Sequence, residues 1–243
     1  MIKNEEITGF IEENITSFHK ARLESLKRLK INTLLKRKNP YLFRCKNIQL
    51  ADELVKLLLE AHLSSQEETI FGDFLERLAI FINRSVYGGV KSSTEGIDLE
   101  FSRDNVRYIV SVKSGPNWGN SSQIKKMRDN FTKAKRVLRT SRGQTDNIIA
   151  VNGCCYGIDN SIDKGDYFKY CGQRFWELIS GDKELYKRII EPLGYKAKER
   201  NEEFNREYAK IINTLVEMFV VEFCDEGQIN WKSLVEYNSK SNM

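Results

Sequence analysis

Asp98 and Glu100 stand two residues apart, and so do Ser111 and Lys113. If both stretches are strands, each pair turns to one face, because successive strand residues alternate sides. Ile97, Leu99 and Phe101 then take the opposite face of the first strand, and Tyr108, Val110 and Val112 that of the second. Carboxylates beside a lysine on one sheet face suit phosphodiester hydrolysis. That reaction needs a metal to stabilise charge on the phosphate and to acidify water, plus a group that positions the water. Magnesium prefers hard oxygen ligands and keeps several waters, so a few carboxylates suffice. A neighbouring lysine can orient or activate the nucleophile and offset phosphate charge. The same pattern also fits a solvated edge strand with no chemistry.

The elements that would position these residues follow from the surrounding sequence. Residues 96–101 alternate with period two, Ser102 to Asn105 supply turn residues, and Val106 to Lys113 is rich in β-formers, which together predict an antiparallel hairpin. With the turn near Arg103-Asp104, the two polar faces share one side of the sheet. A loop rich in Gly, Pro, Asn and Ser (114–122) leads into a basic helix ending near Arg139, and a buried strand spans 147–151, extending toward Cys155. The first third is helical, interrupted at Pro40. One helix is expected over 51–62 and another, capped by Ser64 or Ser65, to about Ile82, before Tyr87-Gly88-Gly89 ends it. Helices return over 173–179, 183–190 and 197–223, and residues 237–243 are expected to fray. The fold class is therefore α/β, a mixed central β-sheet flanked by helices, with helix-rich N- and C-terminal parts. A single domain over 1–243 is expected, made of a helical part (1–62), a core (63–155) and a second helical part (156–243).

Gly96-Ile97-Asp98, followed after twelve residues by Ser111-Val112-Lys113, resembles the signature of the PD-(D/E)XK nuclease superfamily. The longer wording of Glu95 to Phe101, Val110 to Gln123 and Tyr170 to Gly181 is similar to bacterial type II restriction endonucleases, and the resemblance covers roughly residues 65–195. It implies a Mg²⁺-dependent endonuclease with a restriction-endonuclease-like fold, acting on double-stranded DNA. Asp98 and Lys113 would be catalytic, with Asp98 a metal ligand and Lys113 positioning the attacking water. Two positions depart from the pattern. Ile97 replaces the usual proline, and Ser111 replaces an acid, leaving a poor magnesium ligand in the site. Relatives with a serine there recruit a glutamate from a neighbouring helix or strand. Glu76 leads the candidates, on the apolar helix before the hairpin, where a charge wants a partner. A salt bridge on the rim is its alternative role. Glu100 shares the Asp98 face but could pair across the hairpin with Arg107, and Glu95 comes third.

Between Lys125 and Arg142 eight basic residues stand against one acid, a larger excess than the formal +5 of the whole chain. That concentration points to a polyanion partner, although a solvated helix face would look alike. Ile124, Met127, Phe131, Ala134 and Leu138 form its buried stripe, leaving Lys125, Lys126, Arg128 and Lys133 as phosphate contacts. From the preceding loop, Asn117, Trp118, Asn120 and Gln123 join the DNA-binding set, with packing and helix capping as competing roles. A homodimer is expected, since a palindromic target matches two-fold symmetry. Five scattered cysteines without a C-x-x-C pair argue against a zinc site or a disulfide framework. No run of about 18 apolar residues or secretory leader stands out, so no membrane span and a cytoplasmic location are expected. A repair or structure-selective nuclease, or a DNA-binding module whose site has degenerated at Ser111, are the alternatives.

Overall fold

The computed structural model of the chain describes residues 2–36, 38–142 and 147–241, and the side chains of Ser141 and Arg142 lie outside that description. In chain order the elements are α1 (Asn4–Lys27), α2 (Ile31–Lys36), α3 (Pro40–Cys45), α4 (Ala51–Tyr87), β1 (Leu99–Arg103), β2 (Val106–Lys113), α5 (Ser121–Arg142) and β3 (Asn147–Cys154). There follow β4 (Phe168–Cys171), α6 (Gln173–Ser180), α7 (Leu185–Arg188), α8 (Ile190–Leu193), α9 (Ala197–Phe223), β5 (Cys224–Asp225), β6 (Gln228–Ile229) and α10 (Trp231–Ser239). Pro40 starts a helix rather than merely breaking one: Asn39 accepts a hydrogen bond from the Tyr41 amide, and the proline takes the first helical position.

The chain divides into two compact units: residues 2–16 with 71–195, and residues 17–70 with 196–241. The division is not one of contiguous blocks, so the boundaries at 62 and 155 read from sequence do not coincide with it. The second unit is helical. Its core gathers Leu26, Leu34, Leu54, Leu58 and Leu59 with Phe204, Phe219 and Phe223, and the two-stranded β5–β6 ribbon and α10 close it. Helix α10 continues to Ser239, so Tyr237 to Ser239 are helical rather than frayed.

The first unit holds a four-stranded sheet in the order β1-β2-β3-β4. β1 and β2 are antiparallel with Leu99 opposite Val110, whereas β3 runs parallel to β2 and β4 parallel to β3. The fold is thus mixed α/β with helices flanking the sheet, as expected. The hairpin turn is Asp104-Asn105, both at positive φ (51° and 58°), the geometry of the tight turns that match strand twist. This lies one residue beyond the position read from sequence. The shift slides the pairing by two residues, an even number, and so keeps Asp98, Ser111 and Lys113 on one face.

The structure also departs from the sequence reading at α4, at β4, over 183–190, where two short helices stand in place of one, and after Phe223, where β5, β6 and α10 were not expected. α4 runs unbroken through Ser64 and Ser65, where a cap was expected. Its apolar positions continue through Leu59 and Leu63 on one side, and the Ser65 carbonyl accepts the Thr69 hydroxyl, so the serines are absorbed into the helix. β4 was not anticipated: four residues with a half-buried aromatic pattern are too short to show periodicity.

One sheet face packs on α5 through Ile109, Ile148 and Ala150 against Met127, Phe131 and Ala134. The other carries Phe101 stacked between Tyr87 and Tyr108, and Gly153, where any Cβ would strike the Phe175 ring of α6. The Asn83 amide in α4 donates to the Ile179 carbonyl, tying α4 to α6.

Candidate active site

Asp98 sits one residue before β1, and its amide donates to the Val110 carbonyl at 2.9 Å, extending the ladder. The segment before it makes a close approach to α5. Gly96 has φ +76°, and a Cβ there would lie 2.0 Å from the Asn130 amide nitrogen, so only glycine fits without displacement. The Asp98 carboxylate is fixed through one oxygen. Oδ2 accepts the Val112 amide at 2.7 Å and the Ser111 hydroxyl at 3.4 Å, and stands 3.9 Å from Lys113 Nζ. That last separation is beyond hydrogen-bond reach, so carboxylate and ammonium are neighbours without consuming each other. The Lys113 backbone is held independently, its carbonyl accepting the Cys155 amide at 2.9 Å.

Around this pair is a buried polar chain. Asn152, 1% exposed, donates its amide to the Ser111 carbonyl at 3.3 Å and accepts the Trp118 indole N–H at 3.0 Å. The Trp118 ring in turn lies 5.3 Å from Lys113 Nζ, within cation–π range. Trp118 therefore forms the wall beneath the lysine. Asn152 had gone unnoticed in the sequence; a lone asparagine after the apolar run Ile148 to Val151 was the available signal. Ser111 is 2% exposed and offers the site only its hydroxyl.

Glu76 projects from α4 toward the same region. One turn earlier, Gly72 comes to Ser114, the residue after Lys113, with only 3.8 Å between a Cβ placed there and the serine Cβ. Burial pushes the Cys155 thiol up, the adjacent Cys154 and the charge of Glu76 add to this, and Lys113 opposes it, so Glu76 and Lys113 act on one buried atom. Glu76 Oε1 accepts a 3.1 Å hydrogen bond from Lys91 Nζ. This bond is the main reason Lys91 holds its proton more tightly than usual, followed by the charge of Glu76, with Asp98 and Asp73 contributing less. Lys91 is a residue the sequence reading missed. A lysine in a polar connector carries no sequence signal of a role.

Glu100 is placed differently. Its Oε2 accepts Arg107 Nη2 at 2.8 Å and its Oε1 the Ser92 hydroxyl, so both oxygens are engaged in a buried pair. This is the cross-strand pairing considered from sequence. Glu95 pairs with Lys126 at 3.4 Å, both well exposed. Asn120 and Gln123 bond each other's backbone amides at 2.9 and 3.1 Å, a reciprocal cap at the start of α5. Asn117 is exposed. On α5, Arg128 pairs with Asp166 and Lys135 donates to the Asp166 carbonyl, whereas Lys125 and Lys133 are exposed and make no ion pair among the described residues.

Among the described residues no three or more His, Cys, Asp or Glu side chains converge as a metal cage. Magnesium does not require one: one or two carboxylates with waters and substrate phosphate are its usual setting. Asp98 keeps Oδ1 clear of the bonds that fix Oδ2, and Glu76 already holds a cation in the form of the Lys91 ammonium. The donor set therefore fits a hard divalent cation.

Residues 5–201 match the protein family described as Type II restriction endonuclease EcoO109I. No curated protein matches the chain.

Proposed function

The chain belongs to the type II restriction endonuclease EcoO109I family, and from that premise we propose that it cuts double-stranded DNA at a specific sequence using Mg²⁺ held by Asp98 and Glu76. The observation that carries the reading is the Asp98–Lys113 pair, presented on one sheet face at the end of β2. Asp98 would hold the cation, its Val112 bond engaging only one of the two carboxylate oxygens. Lys113, held over Trp118 and not bonded to Asp98, orients the attacking water and offsets charge developing on the phosphate. The cation itself supplies Lewis acidity at the phosphate and a more acidic water. Asn152 and Ser111 keep the strand ends and Trp118 in place. A homodimer working on a palindromic site in the cytoplasm completes the proposal.

The experiment is digestion of long phage DNA followed by sequencing of the fragment ends. One short symmetric motif at every end supports a restriction enzyme. Ends without a common motif, or cutting confined to branched or damaged substrates, favour a repair or structure-selective nuclease instead. Ser111 in place of an acid favours one further reading, a DNA-binding module with a degenerate site, which would bind DNA but cut nothing, whichever divalent metal is supplied.

The exposed face of α5 and the loop before it are proposed to hold the phosphate backbone through Lys125 and Lys133, with Asn117 beside them. Lys126 and Arg128 could join by exchanging their exposed carboxylate partners for phosphate, since exposed pairs are worth little. Replacing Lys125 and Lys133 together by alanine should weaken binding to all sequences alike. The slope of log affinity against log salt, measured in Ca²⁺, should fall by about 0.9 for each phosphate that these lysines neutralise. An unchanged slope would remove them from the interface.

A further inference from the structure

Lys91 belongs to a short connector pinned against the free edge of β1. The Val90 amide donates to the Glu100 carbonyl and the Glu100 amide to the Val90 carbonyl, both at 2.9 Å, setting Lys91 alongside the Asp98–Leu99 segment. From there its ammonium reaches across to α4 and bonds Glu76 Oε1 at 3.1 Å. The lysine side chain is 66% exposed and the glutamate 24%, so the ammonium can leave into solvent while the carboxylate stays in the site. We propose that Lys91 is a tethered counter-cation that competes with the divalent metal for Glu76, so that metal binding is favoured by its release. The inference rests on Glu76 being a metal ligand, as proposed above.

The physical case is one of electrostatic competition. An ammonium on Glu76 Oε1 and a divalent cation on the same carboxylate would stand at close range, and their mutual repulsion disfavours joint occupancy. Without metal, the lysine neutralises a half-buried carboxylate that has no other ion-pair partner among the described residues. The ion pair is exposed on one side and so of modest strength, which makes it displaceable. Metal loading of the DNA-free protein is then self-limited, and a polyanion drawing the lysine outward favours loading.

The test is calorimetric titration of the DNA-free protein with Ca²⁺ and Mn²⁺, comparing wild type, Lys91→Met, Glu76→Gln and the double variant, with circular dichroism confirming that each is folded. Lys91→Met should tighten metal binding roughly two- to five-fold, the range expected for removing one exposed pair. Glu76→Gln should weaken it, and Lys91→Met should have no further effect in that background, because the competition has lost its object. If Glu76→Gln weakens binding but Lys91→Met leaves it unchanged or weakens it, the competition is overturned while Glu76 stands as a ligand. If Glu76→Gln changes nothing, or no protein binds metal, both the inference and the ligand assignment fall.

Discussion

Asp98→Asn is expected to leave the protein folded and to slow DNA cleavage about 10³-fold or more. The amide has nearly the shape of the carboxylate, and its oxygen can still accept the Val112 N–H that now bonds Oδ2 at 2.7 Å. The Asp98 backbone bond to the Val110 carbonyl does not involve the side chain. What disappears is the negative charge, and with it most of the attraction for a divalent cation. Metal catalysis is worth several kcal/mol, and each 1.36 kcal/mol is about a factor of ten in rate. Single-turnover cleavage at saturating Mg²⁺, set beside thermal unfolding, separates the two effects. A variant that cuts within about ten-fold of wild type would remove Asp98 from the metal site.

Lys113→Ala should cost about 10²–10³-fold in kcat, the size of effect seen when one preorganised charge-stabilising group is lost. The lysine backbone is anchored by the Cys155 amide and by pairing with β3, so truncating the side chain leaves the strand in place. Its ammonium is half-buried, lies over Trp118 and sits 3.9 Å from Asp98. The loss should therefore appear in kcat and leave DNA affinity in Ca²⁺ within a few-fold. Arginine should not restore the rate, because a planar guanidinium cannot take the place of a compact ammonium at that wall. A raised KM with kcat unchanged would make Lys113 a simple phosphate anchor.

That these two residues share a sheet face was legible in the sequence because strand parity survives small errors. The turn was read one residue early, yet an even slip keeps every side chain on its face, so Asp98, Ser111 and Lys113 still fell together. The basic helix was legible for the same kind of reason, its apolar stripe of Met127, Phe131 and Ala134 being strictly periodic.

Long-range partners were less visible. Whether Glu100 faced a metal or Arg107 depended on a diagonal contact across the hairpin, which local pattern leaves open. Asn120 and Gln123 carried the three-residue spacing of a reciprocal cap, and the structure uses both side chains there. Trp118 lies beneath Lys113 only because Asn152, some thirty residues later, accepts its N–H. Ser64 and Ser65 looked like a helix start, but apolar burial on both sides of them outweighs their capping preference. Lys91 could not be found at all without coordinates, since its partner Glu76 lies fifteen residues earlier on another element.

The most direct measurement is digestion of phage DNA by wild type and by Lys113→Ala, each with and without Mg²⁺, resolved on a gel. Discrete fragments from the wild type alone, and only with Mg²⁺, are the predicted result. DNA binding without cleavage by the wild type, in Mg²⁺ and in Mn²⁺ alike, would contradict the account and leave a binding protein built on a nuclease fold.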